Sequence, residues 1–65
     1  MRNRVKELRT GAGWTQEDLA RRAGVSRQTV ISIEGGRYDP SLPLAMKLAS
    51  LLGESVERLF FPEEE

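Results

Sequence analysis

Residues Gln16 to Arg37 read QEDLARRAGVSRQTVISIEGGR, and this stretch decides the fold. Its apolar residues recur at helical spacing twice, on either side of Gly24. The first segment, about Gln16 to Ala23, buries Leu19, Ala20 and Ala23, and the two small alanines permit a close helix crossing. Thr15 stands as its N-cap, and Thr15-x-x-Asp18 has the spacing of a capping box, with Asp in place of the preferred Glu or Gln. Gly24 is the natural left-handed residue to end that helix. Val25 points inward from the turn, and Ser26 caps a second segment, about Arg27 to Glu34, closed by Gly35-Gly36. Val30 and Ile33, with Thr29 beside them, turn toward the core. Arg27, Gln28, Ile31 and Ser32 are linked by spacings of three and four and share the opposite face. Two helices so joined can lay the second, residues 26–35, in the major groove of DNA.

Working outward, every other segment is also helical in period, and no period-two strand pattern is visible. The expected class is all-α with five short helices. Helix one covers about Asn3 to Thr10, with Val5 and Leu8 as its apolar face, Ala12 adding to it, Gly11 closing it and Gly13 loosening the link. Trp14 precedes the Thr15 cap, in the position of a hydrophobic staple. Tyr38-Asp39-Pro40 forms a turn or loop. Ser41 caps helix four, about Leu42 to Leu52, with Pro43 in the first turn, where a missing amide proton costs little. Leu44, Ala45, Leu48, Ala49 and Leu52 make its core stripe, and Gly53 ends it. Ser55 caps a short fifth helix holding Val56, Leu59 and Phe60, and Pro62 stops it. Residues 1–62 thus read as one domain, followed by an acidic tail at 63–65.

Composition narrows the function. A chain of 65 residues holds one domain with a modest core. It has neither Cys nor His, so disulfides and a zinc staple are excluded, and no metal or other cofactor is expected. No nucleophile stands beside a base and no glycine loop cradles phosphate, so catalysis is not expected. No apolar run approaches the ~20 residues of a membrane span, and Met1 to Thr10 lacks a signal-peptide pattern. A cytoplasmic protein without a membrane or small-molecule partner is the simplest expectation. The formal net charge is +0, but it is unevenly spread. Residues 1–37 carry eight basic and four acidic side chains, and residues 38–65 carry two and six. A basic half can face phosphates while an acidic half faces away; the alternative is a mixed-charge solvated surface.

With these residues in view, the chain resembles the Cro/CI (Xre) family of helix-turn-helix regulators, the stand-alone single-domain type with a compact five-helix, lambda-repressor-like DNA-binding domain. The resemblance rests on Leu8-Arg9, on Gln16-x-x-Leu19-Ala20-x-x-Ala23-Gly24-Val25-Ser26, on Arg27-Gln28-Thr29-Val30, on Ile33-Glu34-x-Gly36-Arg37, and on Pro40-Ser41-Leu42 with the Leu-rich fourth helix. It spans nearly the whole chain. It implies sequence-specific binding of double-stranded DNA at a near-palindromic operator by a homodimer, as a transcriptional regulator of the repressor kind. It further implies that Gln16 bonds a phosphate and that Arg9 and Glu34 form a partly buried ion pair between helix one and the end of helix three.

Side-chain chemistry distributes the remaining roles. Gln28 can pair bidentately with adenine, Arg27 with guanine, and Ser32 with either, while Ile31 either touches a thymine methyl or faces a protein partner. Ser26, Arg37, Lys6 and Ser41, with Arg2 as a vaguer candidate, join Gln16 as backbone contacts, which set register and salt-dependent affinity. For Ser26 and Ser41 capping is itself a sufficient role. Leu51, Val56, Phe60 and Phe61 are the candidates for a two-fold contact, against simple core closure, which suits Leu59 and Phe60 better than Phe61. Two rival uses of the fold stand beside DNA regulation: an antitoxin, or a protein-interaction module. A module that does not read DNA calls for a neutralised recognition face, whereas Arg27, Gln28 and Arg37 leave this one polar and basic.

Overall fold

The computed structural model describes residues 1–62; the acidic tail expected at 63–65 lies outside the described residues. Chain order is β1 (Arg2–Asn3), α1 (Val5–Gly11), α2 (Gln16–Ala23), α3 (Arg27–Glu34), α4 (Leu42–Leu52), α5 (Val56–Leu59) and β2 (Phe60–Phe61). The five helices form around one core whose fully buried large side chains are Leu19, Ile33, Leu48, Leu59, Val5 and Val30. Each such side chain stabilises the fold by about 1.5–3 kcal/mol through removal from water. Ala20 and Ala23 of α2 and Ala45 and Ala49 of α4 are buried too, and their small size lets α2 seat closely against α3 and α4. No helix among the described residues is long and apolar enough to cross a membrane.

The chain ends correct the all-α expectation. Arg2 pairs with Phe61 and Asn3 with Phe60 in a two-stranded antiparallel sheet. Helix one therefore begins at Val5, not Asn3. The cause is Asn3 itself. Its side-chain oxygen accepts from Val5 N at 3.1 Å, and its amide donates to the Ile33 carbonyl at 2.8 Å. Arg4 N then donates to the Leu59 carbonyl at 3.0 Å. At the other end, aromatic side chains favour extended backbone, and Pro62 disfavours the helical region for Phe61. Phe60 consequently leaves α5, which closes at Leu59.

Local chemistry sets most helix ends. Thr15 and Asp18 complete a reciprocal capping box: Asp18 N donates to Thr15 Oγ1 at 3.0 Å, and Thr15 N to Asp18 Oδ2 at 2.9 Å. Asp is shorter than the preferred Glu, yet both bonds of the box are made. Ser26 Oγ accepts from Thr29 N, and Ser41 Oγ from Leu44 N. Ser55 departs from expectation, because its side chain makes no capping bond; its own N–H is taken by Glu54 Oε1 at 3.0 Å. Helix one also runs through Gly11 and closes at Ala12 in a right-handed conformation.

The Asp18 carboxyl is held below its ordinary value, first by the Thr15 backbone N–H, then by the Thr15 hydroxyl, with Arg21 and Arg22 assisting. A carboxyl with a depressed folded-state pKa contributes stability above its unfolded value, near 3.8, and that contribution is lost as pH falls through the lower folded value. Asp18→Ala is therefore expected to lower the urea midpoint at pH 7 and to make a smaller difference near pH 2.5. An equal difference at both pH values contradicts an ionic origin.

Candidate nucleic-acid interface

Helix α3 is presented by the turn that precedes it. Gly24 closes α2 at φ 75°, a left-handed conformation that L side chains rarely adopt. Its N–H returns to the Ala20 and Arg21 carbonyls, Val25 N bonds the Ala20 carbonyl, and half-buried Val25 packs on the core. From the opposite side Lys47 of α4 donates to the Ala23 carbonyl at 3.4 Å, so a cation meets the negative end of α2. With Val30 and Ile33 buried, the remaining face of α3 has to turn outward.

On that face Arg27 and Gln28 are exposed, and Ile31 and Ser32 are half-buried. Two open depressions flank the helix. One is lined by Ser26, Gln28, Thr29, Ser32 and Tyr38. The other is lined by Gln28, Ile31, Ser32, Gly35 and Arg37. Gln28 and Ser32 belong to both and form the ridge between them. Tyr38 carries no sequence signal for this site, since its loop position alone does not show that the return of the chain after Gly36 sets it against α3. Arg37 is exposed, with its backbone N–H bonded to the Ser32 carbonyl at 3.0 Å. Lys6 on α1 and Ser41 at the start of α4 are also exposed. Arg2 lies with its guanidinium 5.5 Å from the centroid of the Phe61 ring.

Beneath this face sits an ionic network. Arg9 Nε donates to Glu34 Oε2 at 2.6 Å and Nη2 to Glu34 Oε1 at 3.3 Å. Arg9 Nη1 donates to the Trp14 carbonyl at 2.8 Å. Both side chains are nearly sealed, at 9% and 5% exposure. Gln16, at the first position of α2, adds its side-chain amide to the same carboxylate, 3.2 Å from Glu34 Oε1. Trp14 is half-buried against the core, and Arg22 lies 4.3 Å above its ring.

The candidates for a two-fold contact differ in exposure. Phe60 is only 8% exposed and belongs to the core of its own chain. Leu51, Val56 and Phe61 are half-buried. The large apolar side chains left most open are Leu42 at 65% and Met46 at 56%, one turn apart on α4 and off its core stripe. A groove beside them is lined by Met1, Asp39, Pro40, Leu42, Ala45, Val56 and Phe60. The sequence held the signal in Leu42 and Met46, both outside the stripe of Leu44, Ala45 and Leu48.

The helix-turn-helix family model matches residues 5–59, which contain all five helices. The chain belongs to the Cro/CI (Xre-type) helix-turn-helix family. Relatives span its whole length. An uncharacterised helix-turn-helix transcriptional regulator of Methanocaldococcus jannaschii is 51% identical over 65 residues, covering 100% of this chain and 98% of that protein. Among solved structures, the restriction-modification controller protein C.AhdI of Aeromonas hydrophila is 40% identical, with a TM-score of 0.79 over 88% of this chain and 86% of that one. SinR, a master regulator for biofilm formation solved in complex with DNA, is 33% identical, with a TM-score of 0.75 over 83% of this chain and 87% of that one. Within the helix-turn-helix, α2 and α3 are the paired helices.

Proposed function

We propose that this chain is a dimeric transcriptional repressor that binds duplex DNA sequence-specifically, with α3 in the major groove. The observation that carries this reading is the outward face of α3, where Arg27 and Gln28 stand exposed at the helix start and Ser32 one turn on. Arg27 pairs with guanine, Gln28 with adenine, and Ser32 and Ile31 complete the readout, Ile31 against a thymine methyl. Gln16, Ser26, Arg37, Lys6 and Ser41 contact phosphates and fix the register. The likeness to SinR, which was solved with DNA, supports the same reading. Selection from a random duplex pool at roughly physiological salt tests it. A near-palindrome with half-sites about 10 bp apart is the expected product; recovery of random sequence contradicts it.

Dimerisation gives that spacing, because two recognition helices about 34 Å apart face successive major grooves. The surface proposed for it takes in Leu51, Val56, Phe61 and the groove edge of Phe60, with the open side chains Leu42 and Met46 beside them. Leu42→Ser/Met46→Ser, which touches no fully buried residue, is expected to shift light-scattering mass from dimer to monomer and leave the helical circular dichroism unchanged. A variant that stays dimeric places the contact elsewhere.

A further inference from the structure

The Gln16–Glu34 hydrogen bond assigns Glu34 a second task. We infer that Glu34 is a positioning residue for DNA binding: its carboxylate, charge-balanced by Arg9, holds the Gln16 amide so that one N–H points outward to a phosphate. The inference rests on the DNA-binding reading above and adds to it.

An ionised carboxylate accepts hydrogen bonds and cannot donate. At 3.2 Å from Glu34 Oε1, Gln16 must therefore present its NH2 group, not its carbonyl oxygen. An amide NH2 has two donors, and Glu34 takes one. The second is fixed in direction by the plane of the same amide. Gln16 is half-buried at the first position of α2. The first turn of a helix also presents backbone N–H groups without partners in the helix, and its positive end favours an anion. A free glutamine loses side-chain freedom when it binds, and that loss opposes binding. Glu34 removes much of that loss in advance.

Charge explains why Arg9 is required. A bare carboxylate near a phosphate site repels it. Arg9 contributes two hydrogen bonds to Glu34, so the assembly offers the phosphate a donor without a net negative charge. The network also spans three elements: Arg9 from α1, Gln16 from α2 and Glu34 from the end of α3. The phosphate contact and the recognition helix are thereby held in one register.

A double-mutant cycle on the full chain tests the inference. Arg9→Met/Glu34→Met removes both charges together and avoids stranding one of them in the interior. Duplex affinity is measured for this variant, for Gln16→Ala, and for the triple variant, each shown folded by circular dichroism. Gln16→Ala and the paired replacement are each expected to weaken binding about 5- to 10-fold, the usual worth of one hydrogen bond. The triple variant is expected to bind like Gln16→Ala alone. Full multiplication of the two losses overturns the inference, because a merely structural ion pair acts independently of Gln16. Proton–nitrogen NMR of the Gln16 side-chain amide gives a second measurement on the unmodified protein, free of any folding defect. One N–H is expected to be displaced by the carboxylate in the free protein and the other to move on adding duplex. Two ordinary solvent-exposed amide protons overturn the inference. A wild-type chain that selects no duplex overturns the DNA reading itself, whereas binding with multiplicative losses overturns only the role of Glu34.

Discussion

Arg9→Ala is expected to destabilise the chain by about 3–5 kcal/mol, because it strands the Glu34 carboxylate without its cation in a nearly sealed site. The site explains the size of the effect. Arg9 makes three hydrogen bonds, two to Glu34 and one to the Trp14 carbonyl. Its loss therefore also leaves a backbone acceptor without its donor. A domain of this length has a total stability of roughly 3–10 kcal/mol, so Arg9→Ala leaves much of the population unfolded at growth temperature. Charge is the reason, not volume: Arg9→Met/Glu34→Met, which removes both ions and keeps apolar bulk, is expected to lose far less. Urea unfolding of the two variants decides between these accounts. Equal midpoints for Arg9→Ala and the paired replacement rule out the stranded charge as the cause.

The same network marks where the sequence is readable and where it is not. Thr15, Ser26 and Ser41 announce helix starts because a cap is a contact within three residues, and Gly24 and Gly53 announce ends for the same reason. The outward face of α3 follows from helical period alone once Val30 and Ile33 are assigned inward. The Arg9–Glu34 pair came through family resemblance rather than through any local pattern. Gln16 joining it did not come through at all, since its partner is 18 residues away and only the packing of α2 on α3 brings them together. The β1–β2 pairing escaped for the same reason, more strongly. It joins the two ends of the described chain through two residues on each side, too few to show a period. Ser55 shows the converse failure, a cap-type residue whose side chain makes no capping bond, the Arg58 N–H going to the Ser55 backbone carbonyl at 3.2 Å instead. Tyr38, Leu42 and Met46 were visible as residues, but their exposure is a product of how the chain folds back after α3.

Arg27→Ala/Gln28→Ala is expected to abolish sequence selection while leaving the fold intact. Both side chains are exposed, neither has a hydrogen-bonded side-chain partner among the described residues, and the Ser26 cap that starts the helix remains. Their loss therefore costs little within the protein. In the complex, each bidentate base contact is worth about 1–3 kcal/mol of discrimination, so removing two lowers specific affinity by roughly 30-fold to 10⁴-fold. What remains is phosphate attraction, which is blind to sequence and fades with salt. Arg37→Ala supplies the contrast that makes the experiment diagnostic. As a backbone contact, Arg37 is expected to weaken every duplex alike and to reduce the salt slope by about one. The two variants thus separate reading from holding: the first flattens the preference between operator and random DNA, and the second lowers both by a common factor. If Arg37→Ala changes the preferred sequence, or Arg27→Ala/Gln28→Ala merely scales all affinities down, the roles assigned along α3 are reversed. The recognition surface would then lie toward the C-terminal end of the helix and the Arg37 depression, with its N-terminal end serving as the anchor.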